Sequence, residues 1–67
     1  MEITLNGQAH RIDGEEIALP DLIASLNLGP QPVLVELNGE ALFQRDFADH
    51  QIKNGDVVEI IRMVAGG

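Results

Sequence analysis

Residues 57–64 read Val57-Val58-Glu59-Ile60-Ile61-Arg62-Met63-Val64 and form the most β-prone stretch of a chain of 67 residues. Their apolar side chains follow one another almost without interruption, which is typical of a central strand covered on much of both faces. The turn sequence Asn54-Gly55-Asp56 comes directly before this stretch, and Ala65-Gly66-Gly67 follows it. We therefore predict a central β-strand here, with earlier segments building the sheet around it.

The first twelve residues predict a β-hairpin. Met1–Leu5 alternates apolar and polar residues before Asn6-Gly7, and Asn-Gly favours the two-residue turn in which both positions have positive φ. Such a turn fixes the register of the hairpin, so that Leu5 faces Gln8 and Glu2 faces Arg11. The face predicted to point inward carries Met1, Ile3, Leu5, His10 and Ile12.

A short amphipathic helix is predicted between Leu19 and Gly29. Pro20 suits the first helical turn, Gly29 suits the stop, and Leu19 offers no side-chain oxygen for capping. Its apolar stripe has the helical spacing i, i+3, i+4, i+7 and consists of Leu19, Leu22, Ile23 and Leu26. A helix of this length is unstable alone and must pack on a sheet.

The remaining segments complete an α+β pattern. A strand over Val33–Leu37 turns at Asn38-Gly39 into a second strand, Glu40–Leu42. The segment Phe43–His50 has no clean period and is expected to form an irregular turn. Its phenylalanines, Phe47 above all, are expected to cover one edge of the core. The order of the predicted elements is a hairpin, one helix, short strands and a long final strand. This order predicts the β-grasp arrangement of ubiquitin, which is a mixed sheet with one main helix packed on it. Residues 1–64 would form the single domain and residues 65–67 a flexible C-terminal tail.

The composition excludes several classes of protein. The chain has 11 acidic and 4 basic residues, and its net charge of −7 argues against binding to nucleic acid or to an anionic membrane. No cysteine is present, which excludes zinc ribbons, iron–sulfur clusters and thiol catalysis. The sequence shows neither a membrane-spanning run nor a secretion signal, so a cytoplasmic protein is expected. The acidic surface is either simply solvated or faces a basic protein partner.

No set of side chains predicts a self-sufficient active site or a metal site. His10 falls on the inward face of the hairpin, where a structural role is expected, and His50 next to Asp49 is a common loop pair. Ser25 has no base at a predictable distance. The neighbouring Glu15 and Glu16 point apart, which suits solvent better than acid–base work. We therefore expect a protein that is not itself an enzyme.

The terminal Gly66-Gly67 pair is the one feature that predicts chemistry. It could be a frayed end, but the strongest strand of the chain runs directly into it, and residues 64–67 in extended form reach roughly 13 Å. Glycines without side chains can thread a narrow channel. The α-carboxylate of Gly67 is ionised at neutral pH and could attack the α-phosphate of ATP, giving an acyl-adenylate. The ATP site must belong to a partner enzyme, because no phosphate-binding loop is present and no cofactor is expected on this chain.

Over essentially its whole length the chain resembles the ThiS family of sulfur carriers. The resemblance rests on Asn6-Gly7, Leu22-Ile23 with Leu26, Val35-Glu36-Leu37-Asn38-Gly39-Glu40, Arg45, Asn54-Gly55-Asp56 with Val58-Glu59-Ile60, and Val64-Ala65-Gly66-Gly67. It implies a β-grasp carrier for thiamine biosynthesis, monomeric when free. Gly67 would be adenylated by a ThiF-like enzyme, converted to a thiocarboxylate with sulfur from a donor protein, and used by a ThiG-like thiazole synthase. Gly66 and Ala65 would give the tail its access.

The chain also departs from the usual pattern of that family. Leu19-Pro20 stands where many members have Ser or Thr, Gln44 stands where many have Pro before the arginine, and Ala65 stands where some have a third glycine. These departures affect helix capping, tail flexibility and partner contacts more than the terminal chemistry.

The residues beside the tail are candidates for a partner-docking surface, and two alternative functions stay open. The candidates for contact with a partner lie next to the tail and are Ile61, Met63 and Arg62. The alternative is that Ile61 and Met63 belong to the core and that Arg62 is solvated. Two other functions stay open. One is the small, MoaD-like subunit of a molybdopterin synthase, and the other is a β-grasp interaction module without carboxylate chemistry.

Overall fold

The structure is a computed structural model that describes residues 1–63. Its main sheet has five strands in the order β2-β1-β7-β4-β5, and a second sheet pairs β3 with β6. The strands are β1 (Glu2–Leu5), β2 (Gln8–Arg11), β3 (Glu16–Ala18), β4 (Val33–Leu37), β5 (Glu40–Leu42), β6 (Gln51–Lys53) and β7 (Val57–Arg62). Helix α1 (Leu19–Ser25) and a 3₁₀ helix (Gln44–Asp49) complete the chain. No helix among the described residues is long and apolar enough to cross a membrane.

Strand β7 lies at the centre of the main sheet, as predicted. It pairs in parallel with β1, where Leu5 is opposite Val58, and antiparallel with β4, where Val35 is opposite Ile60. The prediction that both faces of this strand are covered is wrong. Val58 and Ile60 are buried, whereas Val57, Glu59 and Ile61 are exposed, because the buried core with α1 lies on one face of the sheet only.

The predicted register of the first hairpin is confirmed, from Leu5 opposite Gln8 to Glu2 opposite Arg11. Asn6 and Gly7 have φ values of 50° and 81°, as a tight Asn-Gly turn requires. His10 lies opposite Ile3 and is half-buried, in agreement with the structural role expected for it.

Helix α1 is shorter than predicted. It ends at Ser25, with Leu26 as its C-cap, and Asn27 and Gly29 beyond it adopt positive φ. Ala18 at the N-cap makes no side-chain hydrogen bond, in line with the poor capping seen in the sequence. The helix is held by its buried side: Leu19 and Leu22 are fully buried in the core.

The small second sheet was not predicted. Strands β3 and β6 have three residues each, too few to show a period of two, and they pair with Ile17 opposite Ile52. The segment predicted as an irregular turn contains the 3₁₀ helix, and Phe47 is buried in the core as expected. The expected core role of Phe43 is wrong, because its side chain is 67% exposed. The hydrophobic core consists of Ile3, Leu19, Leu22, Val35, Phe47, Ile52, Val58 and Ile60.

Asn6 links the start of the chain to its last strand. Strand β1 ends at Leu5, and beyond that point the side-chain amide of Asn6 continues the pairing with β7. Its Oδ1 accepts from the Ile60 backbone N–H at 2.8 Å, and its Nδ2 donates to the Ile60 carbonyl at 3.2 Å. The side chain therefore satisfies two backbone groups of the central strand that β1 is too short to reach.

Asn6→Ala is expected to lower the free energy of unfolding by about 1–3 kcal/mol. It leaves the two Ile60 groups without protein partners, and alanine tolerates the positive φ of this position less well than asparagine does. Urea unfolding followed by circular dichroism measures the loss. Asn27→Ala is the matched control, since Asn27 has a similar φ of 53° and its side chain makes no hydrogen bond within residues 1–63. Equal losses in the two variants would show that the bonds to Ile60 contribute nothing.

Candidate functional site

The residues predicted to carry the chemistry lie at the end of the chain. Gly67, Gly66 and Ala65 fall outside the described residues, as do the predicted domain boundary at residue 64 and the predicted flexible tail. The last described residue, Met63, follows β7 directly, and its backbone N–H donates to the Pro32 carbonyl at 2.9 Å. This bond continues the pairing between β7 and β4, so the chain is tied to the sheet up to its last described residue, Met63.

The three predicted docking residues do not share one surface. Ile61 and Met63 are 55% and 46% exposed, which excludes the alternative that they are core. Arg62 lies between them on a strand, where successive side chains point to opposite faces. It is therefore on the helix side of the sheet, and its Nη1 donates to the carbonyl of Leu28, just past α1, at 3.3 Å.

Ile61 and Met63 belong to a larger apolar surface, the outer sheet face, which is the side of the main sheet opposite α1. Leu34 on β4 is directly opposite Ile61 and is 53% exposed. Val57 is four residues before Ile61 on the same strand, so its side chain points to the same face. If the pairing of β4 with β5 is continued by one residue, Phe43 lies opposite Leu34. All the exposed large apolar residues among residues 1–63 therefore lie on this face: Leu34, Phe43, Val57, Ile61 and Met63.

Two carboxylates interrupt this apolar face. Glu59 on β7 and Glu36 on β4 are directly opposite each other, and both are exposed. Glu36 has Ala41 opposite it on its other side, so no described residue paired with either glutamate carries a positive charge. Like charges directly opposite on neighbouring strands destabilise a sheet. At the margin of the face, the Arg45 guanidinium lies 4.9 Å from the centre of the Phe43 ring.

Two of the other polar candidates, Ser25 and His50, make structural contacts, Ser25 through its side chain and His50 through its backbone. Ser25 Oγ donates to the Leu22 carbonyl at 2.7 Å within its own helix. The backbone carbonyl of His50 accepts from Leu19 N–H at 2.9 Å, and its N–H donates to the Phe47 carbonyl at 3.1 Å, so this residue ties the 3₁₀ helix to α1. Glu15 and Glu16 are exposed, as expected. No group of three potential metal ligands occurs in the described part of the chain.

A groove of about 680 Å³ lies on the opposite side of the molecule, between α1 and the segment that enters β4. Ile23, Leu28, Pro32 and Phe47 supply apolar walls, and Asn27, Gln31 and Gln44 supply amides. None of its lining residues has an ionisable side chain. The groove therefore offers shape but no acid, base or nucleophile.

Four residues of the outer sheet face are not predicted as site residues from the sequence. Leu34 and Glu36 are predicted only to lie on a strand, and Val57 and Glu59 only to belong to the last strand. The signal that could have found them is the pairing of β4 with β7, because it puts Leu34 beside Ile61 and Glu36 beside Glu59. That pairing joins segments about twenty residues apart and is not visible in either segment alone.

A mixed sheet with a single main helix on one face and its last strand at the centre defines the β-grasp class of α+β proteins. The family model described as the ThiS family matches residues 3–67. This chain belongs to the ThiS family.

Individual relatives agree with this assignment. The chain is 29% identical over 65 residues to a protein named sulfur carrier protein ThiS from Thermus thermophilus, covering 97% of this chain and 98% of the relative. It is 31% identical to the protein of the same name from Bacillus subtilis, with the same coverage. A crystal structure of a thiamine biosynthesis protein (ThiS) from Geobacter metallireducens superimposes with a TM-score of 0.86 at 36% identity, covering all of both chains.

Proposed function

We propose that this chain is a sulfur carrier of thiamine biosynthesis whose Gly67 carboxylate accepts and delivers the sulfur. The observation that carries the proposal is the family match, which runs through the terminal Gly66-Gly67 and covers nearly the whole chain. The chain would then be a co-substrate, with its stable body serving recognition and its terminus serving the chemistry.

The proposed chemistry has three steps. The Gly67 carboxylate oxygen attacks the α-phosphorus of ATP, a P–O bond forms, and pyrophosphate leaves, giving an acyl-adenylate. The terminal sulfur of a persulfide on a donor protein then attacks the activated carbonyl carbon and AMP leaves, giving an acyl disulfide. A thiol of the donor or of the enzyme attacks the donor sulfur, the S–S bond to the acyl sulfur breaks, and the thiocarboxylate leaves as a disulfide forms between the two thiol groups. The carboxylate needs no general base for the first step, because its pKa is ordinarily near 3.5. ATP would bind to the adenylating enzyme and not to this chain.

The proposed partners follow from this sequence of steps. A ThiF-like enzyme would supply the ATP site, a donor protein would supply the sulfur, and a ThiG-like thiazole synthase would consume the thiocarboxylate. All of these reactions belong to the cytoplasm, where we place the carrier as a free monomer. Ile61 and Met63 are exposed where β7 ends, a few residues before the reacting carboxylate in the sequence.

The mass of the intact protein tests the proposal. The chain is incubated with a ThiF-like enzyme, ATP and a sulfur donor, then weighed by mass spectrometry. Replacement of one oxygen by sulfur, located at Gly67 by fragmentation, is the expected result. An unchanged mass with an enzyme that converts its own carrier would contradict the proposal. A chain lacking Gly66-Gly67 is the control, and it should gain no sulfur.

A further inference from the structure

Pro30 and Pro32 lie in the segment that enters β4, beside the point where β7 ends. We propose that these two prolines are positioning residues for the terminal carboxylate. They end the pairing of β4 with β7 at Met63, and they thereby set the length of chain that can carry the carboxylate into the active site of a partner. That this carboxylate reacts rests on the proposed function above, whereas the end of the pairing rests on the backbone of the described residues.

The pairing of β4 with β7 keeps one register up to its last pair. Val33 lies opposite Arg62, and one step further the Met63 N–H donates to the Pro32 carbonyl at 2.9 Å. In an antiparallel ladder, a hydrogen-bonded pair exchanges two bonds, one in each direction. Proline has no N–H, so Pro32 cannot donate to the Met63 carbonyl in return. The last pair therefore has one hydrogen bond where an ordinary pair has two.

The next pairing position is occupied by the other proline. Hydrogen-bonded pairs alternate with non-bonded pairs along an antiparallel ladder, so a strand that continued in this register would next bond between residues 30 and 65. Pro30 has no N–H to donate there. The N–H of Gln31, between the prolines, would face away from β7 in the same register. The segment 30–32 therefore presents acceptors but no donors to a strand that would extend β7.

The prolines also turn the chain away from the line of β4. Their rings hold φ at about −65°, whereas antiparallel strands have φ of about −140°. The chain bends at Pro30 and Gln31, and Gly29 before them has a φ of 86°. Both prolines are exposed and take no part in the buried core. Core packing therefore does not account for them, whereas their position at the end of the ladder does.

On its other side, β7 loses its partner earlier. Strand β1 pairs with β7 at Val57 and Val58, and the Asn6 side chain extends this contact to Ile60. Within residues 1–63, no backbone hydrogen bond from the β1 side reaches past Ile60. The pairing with β4 therefore decides where the chain leaves the sheet.

The end of the pairing sets the reach of the carboxylate. Four residues follow Met63 in the sequence, and in extended form they span about 13 Å. If the pairing continued to Ala65, only Gly66 and Gly67 would extend beyond the sheet, with a span of about 7 Å. The two prolines therefore about double the distance at which the carboxylate can react with an enzyme docked on the body of the carrier.

The test restores the two missing donors. In the double variant Pro30→Ala with Pro32→Ala, both positions gain an N–H that can face β7. Amide hydrogen exchange followed by NMR measures the protection of the Ala65 N–H. Pyrophosphate release by a ThiF-like enzyme, at varied carrier concentration, measures adenylation. Gln31→Ala is the matched control, because it changes the same exposed segment without adding a donor. Circular dichroism verifies that every variant is folded.

We expect hydrogen exchange at Ala65 to slow by about 5-fold or more in the double variant, since two added hydrogen bonds of ordinary net strength favour the paired form by that factor. The KM for the carrier should rise by a similar factor with kcat nearly unchanged, because only the unpaired fraction can react. Pro32→Ala alone leaves Pro30 in place, so both values should stay within about 2-fold of the unaltered chain. Gln31→Ala should change neither value.

Two results would overturn the proposal and leave the carrier function standing. Unchanged exchange at Ala65 in the double variant would show that the prolines do not end the ladder. Slower exchange with an unchanged KM would show that the end of the ladder does not position the carboxylate. If the double variant did not fold, Pro30→Ala alone would test the same pairing position. Failure of the unaltered chain to react with an enzyme that adenylates its own carrier would instead count against the carrier function, and the exchange at Ala65 would still decide whether the prolines end the ladder.

Discussion

Adding one alanine after Gly67 is expected to abolish formation of the thiocarboxylate. The new terminal carboxylate would lie one residue, about 3.3–3.8 Å, beyond the native position. The alanine would also add a β-carbon at the end of a tail whose glycines are proposed to thread a narrow channel. Misplacing a reacting group by about 1 Å can cost roughly 100-fold in rate, so a larger loss is expected here. Intact mass after reaction, together with the rate of pyrophosphate release, measures the effect.

An isomeric chain provides the control for this extension. The same alanine inserted between Gly14 and Glu15, both exposed, gives a protein of identical composition with a native C-terminus. This insertion should leave sulfur incorporation near its normal rate, since surface turns tolerate added residues. Normal incorporation into the chain extended beyond Gly67 would show that the terminal position is not what the enzyme recognises.

Leu22→Ala is expected to have the largest effect on stability. Leu22 is fully buried in α1 against the core, and replacing a buried leucine by alanine costs about 2–5 kcal/mol. A domain of this size is stable by only about 3–10 kcal/mol in total. Alanine favours helix, so the loss reports packing and not helix propensity. Urea unfolding should show a midpoint reduced by roughly half or more.

Leu34→Ala makes the same chemical change on the outer sheet face and serves as the comparison. Because Leu34 is 53% exposed, the free energy of unfolding should change by no more than about 0.5–1 kcal/mol. Comparing the loss in free energy of unfolding of the two variants distinguishes a buried leucine from an exposed one. A loss for Leu34→Ala as large as that for Leu22→Ala would mean that the outer face is covered in the free protein.

The hairpin and the central strand could be predicted because local rules determine them. Asn6-Gly7 fixes a two-residue turn, and the turn fixes every pair from Leu5 with Gln8 to Glu2 with Arg11. The predicted burial of both faces of β7 failed for a physical reason. A strand with one solvent-exposed face normally alternates apolar and polar residues. This alternation is not visible in the sequence of β7 and the residue after it, because the exposed positions Val57, Ile61 and Met63 are apolar.

The candidate site was only partly accessible from the sequence. Ile61 and Met63 were predicted as docking residues from their nearness to the tail, and both are exposed on the outer sheet face. Arg62 was grouped with them, although strand alternation puts it on the helix side, where it contacts the Leu28 carbonyl. Glu36 and Glu59 come together only through long-range pairing of β4 with β7, which no local pattern encodes.

The central position of β7 also bears on how the protein is made. Strands β1 and β4 do not pair with each other, and each pairs with β7. While the ribosome is still adding residues, the hairpin of β1 and β2 and the pair of β4 and β5 have no common partner, so neither half can complete a core. The sheet closes only after Arg62 has left the exit tunnel. Its folding is therefore dominated by contacts between residues distant in sequence.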